Sequence, residues 1–128
     1  MNLTQLEKDD WGLKTEGSHL MATCHKLRYK NISAFTPEDF RIMIGQNIGL
    51  VHLVPKALEV VEKHPLSEGD YYEGDLLISL VKLDPKFWQK NVDMKNKLVS
   101  IIEDNYEKII DSECGRDIRK TFDQFKSI

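Results

Sequence analysis

The stretch FTPEDFRIMIGQNIGLVHLVPKALEVVEKHP, residues 35–65, decides the fold class. Thr36, Pro37, Glu38 and Asp39 make a helix start. A hydroxyl accepts from free N–H groups, a proline fills the first turn where its missing donor costs nothing, and two acids face the positive end of the helix dipole. The pattern predicts a helix from Pro37 to about Gln46, with Phe35 packing back onto Phe40 as a hydrophobic staple. Gly45 and Gly49 bracket Gln46, Asn47 and Ile48, which predicts a break or a tight helix crossing where Asn47 hydrogen-bonds backbone groups. From Leu50 to Lys63 the apolar pattern returns, with Pro55 either kinking the segment or opening its second part, and His64 and Pro65 stop it. Ile48 to Val54 is the one stretch compatible with a strand, and its length and neighbouring proline favour helix.

Towards the N-terminus, Leu3 to Asp10 reads as a short helix ended by Trp11 and Gly12, with a polar loop through Glu16 and Gly17. Ser18 is placed as an N-cap for a helix to about Lys30, because Leu20, Cys24 and Leu27 recur at helical spacing. Towards the C-terminus, Leu66 to Glu73 reads as an exposed loop or a helix entry, and Gly74 and Asp75 lead into the stripe Leu76, Leu77, Leu80 and Val81. Asp84 and Pro85 repeat the cap-then-proline signal for a short helix through Phe87 and Trp88. Val99, Ile102, Tyr106, Ile109 and Ile110 define one face of a single long helix from about Asp93 to Asp111. Cys114 and Gly115 end it, and Ile118, Phe122 and Phe125 mark a final amphipathic helix. With no persistent alternation of period two, these segments predict an all-α bundle of about six to seven helices, in one domain spanning residues 1–128.

The chain has 128 residues, 41% of them apolar and 30% charged. That is too hydrophobic for a disordered tail and too charged for a bilayer. The formal charge of −3 is opposite to the balance that holds phosphate backbones, so direct nucleic-acid binding is not expected. Cys24 and Cys114 form no CxxC pair, and the first residues show no basic stretch feeding an apolar run. A cytoplasmic protein with reduced thiols, no signal peptide and no membrane contact is the expectation.

Catalysis needs a nucleophile with its base, an open metal site or paired carboxylates in a cleft. His19 and His25 stand six apart, on different sides of a helix, and make no metal pair. Cys24 beside His25 points about 100° away from it and is expected to be a buried core residue. GQNIG at 45–49 lacks the Lys-Ser or Lys-Thr and the preceding strand of a phosphate loop. Arg41 is expected to pair with a neighbouring acid rather than with a substrate. No enzyme activity, metal or cofactor is predicted, and a small hydrolase or transferase ranks last.

The acids are more informative as a surface. Residues 1–64 carry equal numbers of acidic and basic side chains, so all the net negative charge sits in 65–128. Between Glu68 and Asp75 lie four acids and no cation, interleaved with Tyr71 and Tyr72. A second cluster, Glu103, Asp104, Glu107, Asp111 and Glu113, surrounds only Lys108. Tyrosines beside carboxylates suit a protein-binding patch, since a flat aromatic gives contact area at small entropic cost and acids select a basic partner. The competing reading makes Tyr71 and Tyr72 partly core, Asp70 and Asp75 helix caps, and the second cluster a solvated helix face.

The run FTPEDFRIMIGQNIGL from Phe35, then Leu53, Val54, Pro55, Ala57 and Leu58, PLSEGDYYEGDLL from Pro65, and Phe87–Trp88 together resemble the immunity proteins of bacterial contact-dependent growth inhibition (CDI) systems. Trp11, Gly12, Cys24, His25, Leu27 and Arg28 extend the likeness to roughly residues 10–90. The resemblance implies a non-enzymatic cytoplasmic protein that binds the cognate CDI toxin C-terminal domain and blocks it. Such toxin domains are commonly nucleases, whose basic active sites an acidic inhibitor complements. Glu68, Asp70, Tyr71, Tyr72, Glu73 and Asp75 are the first candidates for toxin contact, and Glu103, Asp104 and Glu107 the second. The rival reading is an intracellular helical adaptor that binds another host protein.

Overall fold

The structure, a computed structural model, describes residues 1–13 and 17–128. The polar loop expected through Glu16 falls largely outside these residues.

The Thr36 hydroxyl accepts from the Asp39 amide at 3.1 Å while the Asp39 carboxylate accepts from the Thr36 amide at 3.0 Å. The start of α3 (Pro37–Gly45) is therefore a reciprocal capping box. The Phe35 and Phe40 rings meet at 5.2 Å, as a staple requires. Beyond Gly45 the chain turns with Asn47 at φ +58 and Gly49 at φ +64, so Asn47 serves the break through its left-handed backbone. A Cβ on Gly49 would stand 2.7 Å from Leu3 Cδ1, and the missing side chain is what seats α1 (Leu3–Glu7) on the core.

α4 (Leu50–Lys63) continues through Pro55 as one helix. Pro55 offers no N–H to the Val51 carbonyl one turn back, a loss tolerable because Val51 is 67% exposed and water is at hand. Leu53, Val54, Ala57, Leu58 and Val61 of the same helix are buried and form the spine of the core. α2 (His19–Leu27) starts at Ser18 as expected but stops short of Lys30. Past Arg28 the Tyr29 and Lys30 amides donate to the carbonyls three back, those of Lys26 and Leu27, and the carbonyls this leaves free at Arg28 and Tyr29 accept from the Thr4 amide and the Asn2 side chain. Ile32–Ala34 forms one 3-10 turn before α3.

α5 (Asp75–Val81) is followed by α6 (Pro85–Lys90), where Asp84 caps the Lys86 amide at 2.9 Å. The single long helix expected from Asp93 to Asp111 is instead two, α7 (Val92–Asp104) and α8 (Tyr106–Ile110). The cause is Asn105. Its side-chain amide donates to the Ile101 carbonyl at 2.8 Å, the position its own N–H would have filled, and that N–H slips back to Ile102. Asn91 does the same between α6 and α7, its side chain donating to Phe87 at 2.8 Å and its N–H to Trp88. With α9 (Gly115–Lys126) the count among the described residues is nine helices rather than six to seven. The chain is 66% helical with no sheet among those residues, an all-α fold.

α3 packs on α4 and α5, α4 on α7, and both α5 and α8 on α9. Trp88 is fully buried, edge-on to Phe125 at 5.4 Å, and ties α6 to α9. No described helix is long and apolar enough to cross a membrane. Gly115 sits where any Cβ would collide with the Ile110 carbonyl, so α8 and α9 meet backbone to backbone. Gly115→Ala is expected to lower stability by about 1–3 kcal/mol, the usual range for overpacking. Gly45→Ala, with nothing within 4 Å of the new methyl, is expected to be neutral or mildly stabilising. Urea unfolding of both variants checks the contrast.

Candidate functional site

The segment between α4 and α5 carries the first group of candidate residues, and its shape follows from two carboxylates. Asp75, at the first position of α5, is 2% exposed and accepts from two loop amides, Gly69 at 2.7 Å and Tyr71 at 3.1 Å. Glu38, on α3, takes the amide between them, Asp70, at 3.0 Å. Three successive N–H groups of an otherwise irregular loop are thus satisfied by charge-assisted bonds. Gly69 makes this possible, because a Cβ there would lie 2.5 Å from Glu38 Oε1.

Arg41 locks the two carboxylates together. Its Nε and Nη2 donate to the two Glu38 oxygens at 2.5 and 2.6 Å, a bidentate fork, and its Nε stands 3.9 Å from Asp75 Oδ2. The same guanidinium lies 4.2 Å from the centre of the Tyr71 ring, a cation–π contact. Arg41 therefore pairs with neighbouring acids, as expected, and supports one face of a tyrosine that is 71% exposed. Glu68 and Glu73 pair across the base of the loop through their backbones, and the Gly74 amide donates to the Leu66 carbonyl at 3.2 Å.

This arrangement sorts the six candidates. Glu68, Asp70, Tyr71 and Glu73 stand at the surface. Tyr72 is half-buried and packs against the core. Asp75 is below the surface as the loop's anchor, and it holds the preceding amides rather than the end of its own helix, whose N-cap is Gly74. Asp70 caps no helix either. Glu38 was read in the sequence only as a first-turn acid, and no local signal could link it to Asp70, 32 residues on.

Charge is tightly coupled here. The Arg41 fork holds the Glu38 carboxyl below the ordinary glutamate value of 4.5, and Glu38 in turn raises Arg41. Asp70 is pushed up, chiefly by the negative charge of Glu38. Burial pushes the Tyr72 hydroxyl up, with Asp117 adding to it.

The second group lies on other elements. Glu103 and Asp104 end α7, Glu107 lies in the first turn of α8, and all three are exposed. Glu103 stands 3.9 Å from Lys126 of α9, beside a shallow groove of about 270 Å³ that includes Tyr106 and Phe122. The two groups do not merge. α9 links them, its start against the loop, where a Cβ on Gly74 would stand 2.5 Å from Cys114 Sγ, and its end against Glu103.

The residues weighed for catalysis are otherwise occupied. Cys24 is buried, and desolvation pushes its thiol up, away from the reactive thiolate. His25 Nδ1 is 2.9 Å from the Gly12 carbonyl, and its ring meets Trp11 edge-on. Among the described residues no three His, Cys, Asp or Glu side chains are placed to share a metal ion.

No curated protein matches the chain. A family model described as CDI immunity proteins matches residues 5–98, which include the clamped loop and leave α8 and α9 outside.

Asp75→Ala removes the acceptor for two loop amides. It is expected to cost about 1.5–3 kcal/mol, the range for hydrogen bonds to a charged group, and to speed hydrogen exchange at Gly69 and Tyr71. Glu38 releases its proton more readily folded than unfolded, so its stabilisation is complete above pH 4.5 and is lost as pH falls below it. Asp70 works in the opposite sense, its penalty at neutral pH being relieved by acid. Amide exchange corrected for the intrinsic rate should show Asp70 N–H losing protection on acidification, ahead of the amides in α4.

Proposed function

Because the chain belongs to the CDI immunity proteins, which are inhibitors and not enzymes, we propose that it neutralises its cognate toxin domain by occlusion, that this toxin is a basic nuclease met in the cytoplasm, and that the loop between α4 and α5 makes the principal contact. The observation that carries the reading is the clamp. Glu68, Asp70, Tyr71 and Glu73 project from a loop whose backbone is held by Asp75 and Glu38 and whose exposed tyrosine rests on Arg41. A surface already ordered before encounter loses less conformational entropy on binding. An exposed aromatic ringed by carboxylates supplies a contact anchor together with steering toward cationic groups.

In this reading the six candidates have different tasks. Glu68, Asp70, Tyr71 and Glu73 meet the partner, Asp75 holds their backbone from below, and Tyr72 fixes the loop to the core. Glu103, Asp104 and Glu107 form a second acidic contact that extends the field. Occlusion needs no catalytic group, because an inhibitor acts by denying the toxin's active site to its substrate.

The direct test is co-expression in a bacterium with the toxic C-terminal domain encoded immediately upstream, scoring growth and then co-purification. Rescue with a stable complex supports the reading, and killing in the presence of folded protein rejects it. Glu68→Lys combined with Glu73→Lys is expected to slow association by about tenfold or more at low salt and to flatten its salt dependence, with the circular dichroism spectrum unchanged. Association kinetics indistinguishable from the parent would remove the loop from the interface.

A further inference from the structure

α9 carries a charge pattern that the two acidic groups do not account for. Arg116, Arg119 and Lys120 are exposed and, with Ile110 of α8, line a groove of about 360 Å³. The four arginines of the chain divide into two kinds. Arg28 is buried against Glu7, and Arg41 is bound by Glu38 and Asp75. Arg116 and Arg119, by contrast, have no carboxylate within 4 Å among the described residues, and neither does Lys120. Asp123 shares this face of the helix, yet its carboxylate is 97% exposed and stands 3.9 Å from Lys126. Asp117 lies near Tyr72, on the loop side of the helix.

A solvated face is the ordinary fate of surface cations, but the chemistry and position of this group argue for more. Guanidinium forks are preorganised for carboxylates and are enriched where proteins bind one another. The position is central: α9 is about 18 Å long, with the clamped loop at its first turn and Glu103 at its last. Any partner broad enough to span both acidic groups passes over or beside the cations between them. A wholly basic partner face would meet repulsion there, since like charges brought together at an interface are unfavourable.

We infer that Arg116, Arg119 and Lys120 receive an acidic side chain of the toxin, whose carboxylate pairs with the guanidinium groups while its aliphatic stem rests on Ile110. The inference rests on the proposed binding of a toxin and adds to it the charge pattern of the partner: basic where it meets the Tyr71 loop, acidic where it meets α9. A nucleic acid is the poorer fit, because three cations are flanked by acids on a chain of net charge −3. The arrangement also gives selectivity, because a toxin with a neutral or basic residue at that point leaves the cations unpaired or repelled.

The test titrates the full chain with the toxin domain encoded immediately upstream, by calorimetry, in three forms: the parent, Arg119→Glu with Lys120→Glu, and Arg116→Lys with Arg119→Lys. All three substituted positions are exposed, and circular dichroism and thermal melting verify the fold. The expected result is at least a tenfold loss of affinity for the charge reversal and a smaller loss for the charge-preserving pair. Parent-like affinity of the reversal variant would overturn the inference while leaving the immunity reading intact. Binding of duplex DNA or RNA by the parent, abolished by the reversal, would overturn it in favour of a nucleic-acid site. No complex even with the parent chain would overturn both.

Discussion

Arg41 is the interaction on which the candidate surface depends. One guanidinium serves two carboxylates from different elements and an aromatic ring, and those carboxylates in turn hold three consecutive loop amides. A cation between two acids offsets their mutual repulsion, and the amides replace the water that the buried Asp75 has lost. The result joins α3, the loop and α5 in one polar network at the edge of an apolar core, and it turns an acidic segment that would repel itself into a fixed shape.

The helical scaffold uses a different device to change direction. Asn91 and Asn105 each donate a side-chain amide to the carbonyl four residues back and let their own N–H move to the carbonyl three back. Each helix thus ends with two of its last carbonyls satisfied by one asparagine, and the next helix starts at once. Glycine does the rest where elements must touch. Gly49 admits Leu3, Gly74 admits Cys114 and Gly115 admits the Ile110 carbonyl, so the N-terminal segment, the loop and α9 all approach closer than a side chain would allow.

Membership of the CDI immunity proteins gives this surface its setting. If the clamped loop is the proposed contact, it meets its partner already ordered and loses less conformational entropy on binding. The exposed part of that loop is small, four side chains on a turn. Contact over a larger area would draw in neighbouring faces, among which α9 carries exposed cations and the junction of α7 and α8 carries acids.

The helices were legible in the sequence wherever a local rule sets them. Thr36-Pro37 and Asp84-Pro85 announce their helix starts through caps satisfied within three residues, and the apolar face of α4 follows from spacing alone. The break at Asn105 was not legible, since its apolar stripe runs through both helices and periodicity is blind to a side-chain amide that competes with the backbone. The acidic and tyrosine-bearing composition of 68–75 could be read directly, and so could its likeness to the immunity family. Which of those residues face water could not. Asp75 and Asp70 look alike in sequence, yet one is buried and the other exposed, because the decision rests with Glu38 and Arg41, brought to the loop by the packing of α3 on α5. Local hydrogen bonding and periodicity are properties of neighbouring residues and are written in order along the chain, whereas the partner of a buried charge is chosen by the fold.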